Sequence, residues 1–166
     1  MNFIFFLSLT LLIILIPYLI SGLSYTVFYP TPISEIKKAI KLINIKKPDK
    51  AIDLGSGDGR FLFEISKYCR EVEGVEIQPI LVLYTKLKVI LGKYKNIEVK
   101  FKDLWSVNLS EYNLIFIFAI KSRMDKLERK ILKEVKKGTK VITYAFKLPN
   151  LKYKKYTKNG LYLYEV

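Results

Sequence analysis

The chain has 166 residues, 51% of them apolar, and a net charge of +14 from 29 Lys and Arg against 15 Asp and Glu. That composition allows one domain with a sizeable core and argues against a disordered chain. There is no histidine, and Cys69 is the single cysteine, which excludes Ser-His-Asp and Cys-His catalysis, histidine metal sites, an internal disulfide and a CxxC pair.

In chain order, MNFIFFLSLTLLIILIPYLIS carries no charge and is broken only by Ser8, Thr10 and Pro17 over residues 3–20. Such a run is long enough for a transmembrane helix. It lacks the basic n-region and cleavage site of a signal peptide. Lys37, Lys38 and Lys41 follow it and no basic residue precedes it, so the expected topology is a single-pass anchor with a cytoplasmic domain touching lipid. The lysines are spread along the chain, and the bland reading of the charge is a solvated surface.

SGLSYTVFYP reads as a connector and TPISEIKKAIKLINI as an amphipathic helix. In it Thr31 suits the N-cap and Pro32 the first helical position. KPDK is a turn and DKAIDLG the first strand. A helix from Arg60 to Cys69, a strand EVEGVEI, a helix from Pro79 to Leu91 and a strand IEVKF follow. Cys69 reads as a small core residue. YNLIFIFAI is continuous enough in apolar residues for a strand buried on both faces. A basic helix from Ser122 to Lys136 stops at Gly138, VITYAF is a fifth strand, and Asn159-Gly160 marks a closing hairpin. The expected fold class is α/β: a mostly parallel sheet with helices on both faces and a C-terminal antiparallel hairpin. The expected domains are an anchor at 1–22, a connector and amphipathic helix at 23–48 and a ligand-binding domain at 49–166.

DLGSGDGR, Asp53–Arg60, joins the first strand to a helix. Gly55, Gly57 and Gly59 permit a sharp turn and close approach of a ligand. The dinucleotide pattern fails, because Arg60 or Leu62 stands where its last glycine would be, and no G-K-[ST] follows for a P-loop. Asp53 and Asp58 make the turn acidic, which suits a ligand with an ammonium group. Glu76 lies about twenty residues on, at the end of the second strand, where an acid can take both ribose hydroxyls. Asp103, after the third strand, can accept from an adenine amino group, with Leu104 or Trp105 packing on the ring. Together these describe an adenosine bearing an amino acid, which is S-adenosylmethionine.

Here the sequence resembles the class I methyltransferases over roughly residues 29–166. DLGSGDGR resembles their motif I, GVEIQP the strand-two motif with the ribose acid, and KDLW the adenine motif. The order YPTP, DLGSGDGR, GVEIQP, DLW and AFKLP resembles a subgroup of small protein-lysine methyltransferases. It includes the membrane-anchored mitochondrial enzymes that modify the ATP synthase c-ring protein and adenine nucleotide translocase. The resemblance implies a Rossmann-like fold behind one transmembrane helix and S-adenosylmethionine as cofactor. It also implies a lysine of a protein, membrane proteins included, as acceptor. Tyr144 departs from the subgroup, where a polar, asparagine-like residue is expected.

The candidate cofactor-binding residues are Thr31, Asp53, Gly55, Ser56, Gly57, Asp58, Gly59, Glu76, Asp103, Leu104 and Trp105, with no metal. Tyr29, Tyr144 and Phe146 are candidates for a substrate channel, and no catalytic base is identified. Structural alternatives stand beside these readings: the glycines as shapers of a tight strand-helix turn, Asp53 as a structural turn residue, Thr31 and Asp103 as helix caps, Asp58 as an exposed turn residue, Glu76 as a surface strand-end acid, and Trp105, Tyr144 and Phe146 as core aromatics. RNA, lipid or quinone methylation is the alternative function. Nucleic acid is compatible with the charge, but FAIKS stands where amino-directed DNA enzymes carry N/D-P-P-Y/F.

Overall fold

The computed structural model describes residues 3–22, 29–43, 45 and 49–166, with side chains of the first helix described over 3–16. Most of the connector and of the KPDK turn lies outside these residues. Helix α1 is Phe3–Gly22 and α2 is Ile33–Ile43. Alternation then sets in: β1 Lys50–Leu54, α3 Arg60–Ile65, β2 Glu71–Glu76, α4 Pro79–Leu91, β3 Ile97–Phe101, β4 Leu114–Ile117, α5 Met124–Glu134 and β5 Lys140–Tyr144. The hairpin is β6 Lys155–Tyr156 and β7 Leu161–Glu165.

The seven strands form one sheet in the order β3-β2-β1-β4-β5-β7-β6. Strands β1 to β5 pair in parallel, and β7 runs antiparallel to β5 and β6. The strand order reverses direction between β1 and β4. That switch point opens a crevice beyond the carboxyl ends of the strands.

Alternation along each strand splits the core in two. Ala51, Leu114, Phe116 and Ile142 face α2, α3 and α4, with Phe61 stacked on Phe116 at 4.1 Å between ring centres. Ile52, Leu54, Ile115, Ile117 and Val141 face α5 through Met124, Leu127 and Ile131. Cys69 is buried, which pushes its thiol up to about 11.

Several elements are shorter than their sequence patterns. Helix α3 stops at Ile65 rather than Cys69, because Asn96 Nδ2 donates to the carbonyls of Ser66 and Cys69 and draws the chain toward β2. Strand β4 covers only Leu114–Ile117 of YNLIFIFAI; its ladder with β1 ends at Leu54, which frees Phe118–Ile120 for the crevice. Helix α2 begins at Ile33, with the Pro32 carbonyl accepting from Ile36 N–H at 3.1 Å, so Pro32 occupies the cap position expected of Thr31.

The expected transmembrane anchor is corrected. Among the described residues no helix is long and apolar enough to cross a membrane. The single-pass placement with a cytoplasmic domain depended on that anchor and falls with it. The described side chains of α1 are exposed and belong to neither core.

Candidate active site

A cavity of about 770 Å³ occupies the crevice. The turn after β1 forms its floor. Gly55, Gly57 and Gly59 all take positive φ, at 92°, 55° and 77°, which an L side chain resists. At Gly55 an added Cβ would meet no atom within 4 Å, so the backbone is open to a ligand there.

Glu76 locks this turn. Its Oε2 accepts from Gly57 N–H at 2.9 Å, while Oε1 accepts from the N–H groups of Ile77 and Gln78 at 2.7 and 2.8 Å. Thr85 on α4 donates to the Gly57 carbonyl at 3.1 Å. Asp53, next to last in β1, is almost fully buried, and burial, then the charges of Glu76 and Asp58, pushes its carboxyl well above the usual range. Burial works upward on Asp58 as well, but the Arg60 guanidinium holds it below its ordinary value. That pair is bidentate, with Arg60 Nε donating to Asp58 Oδ1 at 2.9 Å and Nη2 to Oδ2 at 2.6 Å.

Most candidate residues meet here. Tyr29, Thr31, Asp53, Gly55, Ser56, Asp58, Glu76, Asp103, Leu104, Trp105 and Phe146 line the cavity. Gly57 and Gly59 shape the turn from behind its lining. Asp103 also caps a short 3-10 turn, accepting from Trp105 N–H at 3.0 Å. Lys126 stands 4.0 Å from the centre of the Trp105 ring. Tyr144 is set back from the lining and packs edge-on against Phe118 at 5.1 Å.

Sequence reasoning overlooked Arg60 and Phe118. Arg60 Nη1 donates to the Thr31 carbonyl at 3.1 Å, strapping the segment before α2 across the motif I turn. Its signal was available, since it stands where the dinucleotide pattern requires glycine. Phe118 was hidden inside what read as strand.

The cavity fits a cationic adenosyl ligand. Three carboxylates face a bare glycine turn, and an ammonium or sulfonium charge would offset the burial and the neighbouring charges that raise the Asp53 carboxyl. Residues 53–155 match the family model described as the ANTKMT methyltransferase domain.

The chain belongs to the ANTKMT methyltransferase domain family.

The expected enzyme class, an S-adenosylmethionine-dependent methyltransferase, and the expected cofactor agree with that family. Among curated relatives, the lysine N-methyltransferase of the ATP synthase C polypeptide from Xenopus laevis is 29% identical over 124 residues, 74% of this chain and 54% of the relative. The adenine nucleotide translocase lysine N-methyltransferase of Mus musculus is 33% identical over 105 residues, 62% of this chain and 46% of the relative. The chain thus spans about half the length of the curated relatives it matches. A crystal structure of an RNA methyltransferase from Salinibacter ruber with S-adenosyl-L-homocysteine superposes with a TM-score of 0.78 at 23% identity. It covers 82% of this chain and 93% of that one, a likeness of fold. In this ANTKMT-family chain, the Rossmann-like sheet and antiparallel end match the expected fold class.

Proposed function

We propose that this chain is a protein-lysine N-methyltransferase. The observation that carries the reading is its family membership, with relatives named for lysine methylation of the ATP synthase C polypeptide and adenine nucleotide translocase. The bound cofactor supplies an electrophilic methyl group on a sulfonium. Asp53 and Asp58 are placed to receive the cofactor's ammonium side and Glu76 its ribose hydroxyls. Asp103, Leu104 and Trp105 hold the adenine. The glycine turn lets the backbone come close, with Ser56 beside it, and Thr31 covers the cavity from the strap.

The acceptor then enters over the carboxyl ends of β4 and β5, where Tyr29, Phe118 and Phe146 line the wall. A lysine amine titrates near ~10.4 and must lose its proton before attack. Apolar walls disfavour the charged form, and fixed alignment lowers much of the remaining barrier. No histidine is available as base, so the proton leaves to water or to a hydroxyl or carboxylate at the rim.

RNA is the second reading, favoured by Lys102, Arg123 and Lys126 on the cavity rim. A basic rim attracts phosphates with a steep salt dependence.

The test is to incubate cell extract with methyl-labelled S-adenosylmethionine and either the wild-type chain or Glu76→Ala. Label on lysine of a discrete protein, lost with the variant, is expected. Label confined to RNA would replace the acceptor while leaving the cofactor site in place.

A further inference from the structure

The cofactor residues proposed above occupy the motif I turn and the ends of β2 and β3. Over β4 and β5 the wall has a different character. Tyr29 and Phe118 meet edge-on at 6.0 Å, and Phe118 meets Tyr144 edge-on at 5.1 Å. Tyr29 and Phe118 face the cavity, with Tyr144 behind them.

Glu35, on the first turn of α2, acts through its charge on Tyr144. It is 5% exposed. Its Oε1 accepts from Lys38 Nζ at 2.7 Å and from Asn159 Nδ2 at 2.8 Å, while Oε2 is buried with no partner among the described residues. The turn that carries Asn159 is joined to the cavity wall, because the Gly160 carbonyl accepts from Ala145 N–H at 2.9 Å. Ala145 lines the cavity with φ 67°, a left-handed conformation that a non-glycine residue adopts only where its surroundings impose it.

Burial, and next the Glu35 charge, push the Tyr144 phenol up; Lys38 opposes this more weakly. Lys38 is about half exposed in its ion pair with Glu35, and of the two charges Glu35 acts the more strongly on Tyr144. A buried carboxylate with an open oxygen costs stability, and a glutamine could accept from Asn159 as well. What the carboxylate adds is a fixed negative charge behind aromatic faces, a combination that attracts a cation.

We infer that Tyr29 and Phe118 form the subsite for the acceptor's ammonium group, with Tyr144 backing Phe118 and Glu35 as a positioning residue supplying negative charge on the Tyr144 side. This rests on the amine acceptor proposed above. The subsite selects for alkylammonium groups and against neutral or anionic acceptors.

The test titrates Nα-acetyl-lysine methylamide into the full chain saturated with S-adenosylhomocysteine, followed by shifts of the aromatic ring resonances. Wild type, Glu35→Gln and Phe118→Leu are compared, with S-adenosylhomocysteine affinity as the control for folding. Affinity for the amine should fall about fivefold in Phe118→Leu and about threefold in Glu35→Gln, with S-adenosylhomocysteine affinity unchanged. In methyl-labelling of the extract, Glu35→Gln should raise KM for the lysine acceptor more than it lowers kcat. Wild type that labels lysine alongside variants with unchanged amine affinity and KM would overturn this inference alone. Wild type that binds S-adenosylhomocysteine but labels no lysine overturns the proposed function and this inference with it.

Discussion

Asp53 is a carboxylate buried beside two others, and burial first, then their charges, raises its pKa. Between the ordinary aspartate value and the raised one, the folded chain holds a proton that the unfolded chain has released. Stability of the ligand-free chain therefore falls as pH rises through that window. A cationic ligand favours the ionised form, so its affinity rises over the same window and binding releases a proton. Calorimetric titration of S-adenosylhomocysteine in buffers of differing ionisation enthalpy should detect that release. Asp53→Asn should abolish it, weaken binding about tenfold, and raise the melting temperature of the ligand-free chain at neutral pH. Glu76 acts differently, since three backbone N–H groups already occupy it. Glu76→Ala should cost on the order of 3 kcal/mol in denaturant unfolding, in addition to its effect on the cofactor.

At the scale of elements, the site depends on how closely β2 approaches the motif I turn. Gly74 sits in β2 directly opposite Asp53 of β1. A Cβ there would stand 2.5 Å from Leu62 Cδ1 and 2.8 Å from Ser56 Oγ. Gly74→Ala must turn the Leu62 side chain aside and, with Ser56 Cβ at 2.9 Å, push on the turn itself, at about 1–3 kcal/mol. Thermal melts should show that loss together with weaker S-adenosylhomocysteine binding; a stable variant of unchanged affinity would mean that the turn adapts freely. The Arg60 strap is the second such dependence, joining the motif I turn to Thr31 through one side chain.

For the whole molecule, the cores and the cavity are built, among the described residues, from those after α1. Deleting residues 1–22 should leave S-adenosylhomocysteine affinity within about twofold, because α1 touches the domain at α4 and lines no part of the cavity among the described residues. It should also reduce self-association in sedimentation, since exposed apolar surface of this extent drives association. Loss of cofactor binding on deletion would show that α1 supports the domain.

The sequence by itself determined the alternation of strands and helices, the hairpin and the place of the ligand turn. These follow from local rules: side-chain period, glycine at positive φ, and Asn-Gly in a tight turn. It also placed Asp53, Glu76 and Asp103 at successive strand ends, which a parallel sheet must bring to one edge. Only the tertiary structure decided where α3 and β4 stop, because Asn96 and the end of β1 lie far off in sequence. It likewise moved Tyr144 behind Phe118, and brought Glu35 to Asn159 and Arg60 to Thr31. Those contacts span 124 and 29 residues, and no local pattern encodes a hydrogen bond across such distances. The apolar N-terminal run shows the opposite limit: hydropathy alone pointed to an anchor, and among the described residues no helix is long and apolar enough to cross a membrane.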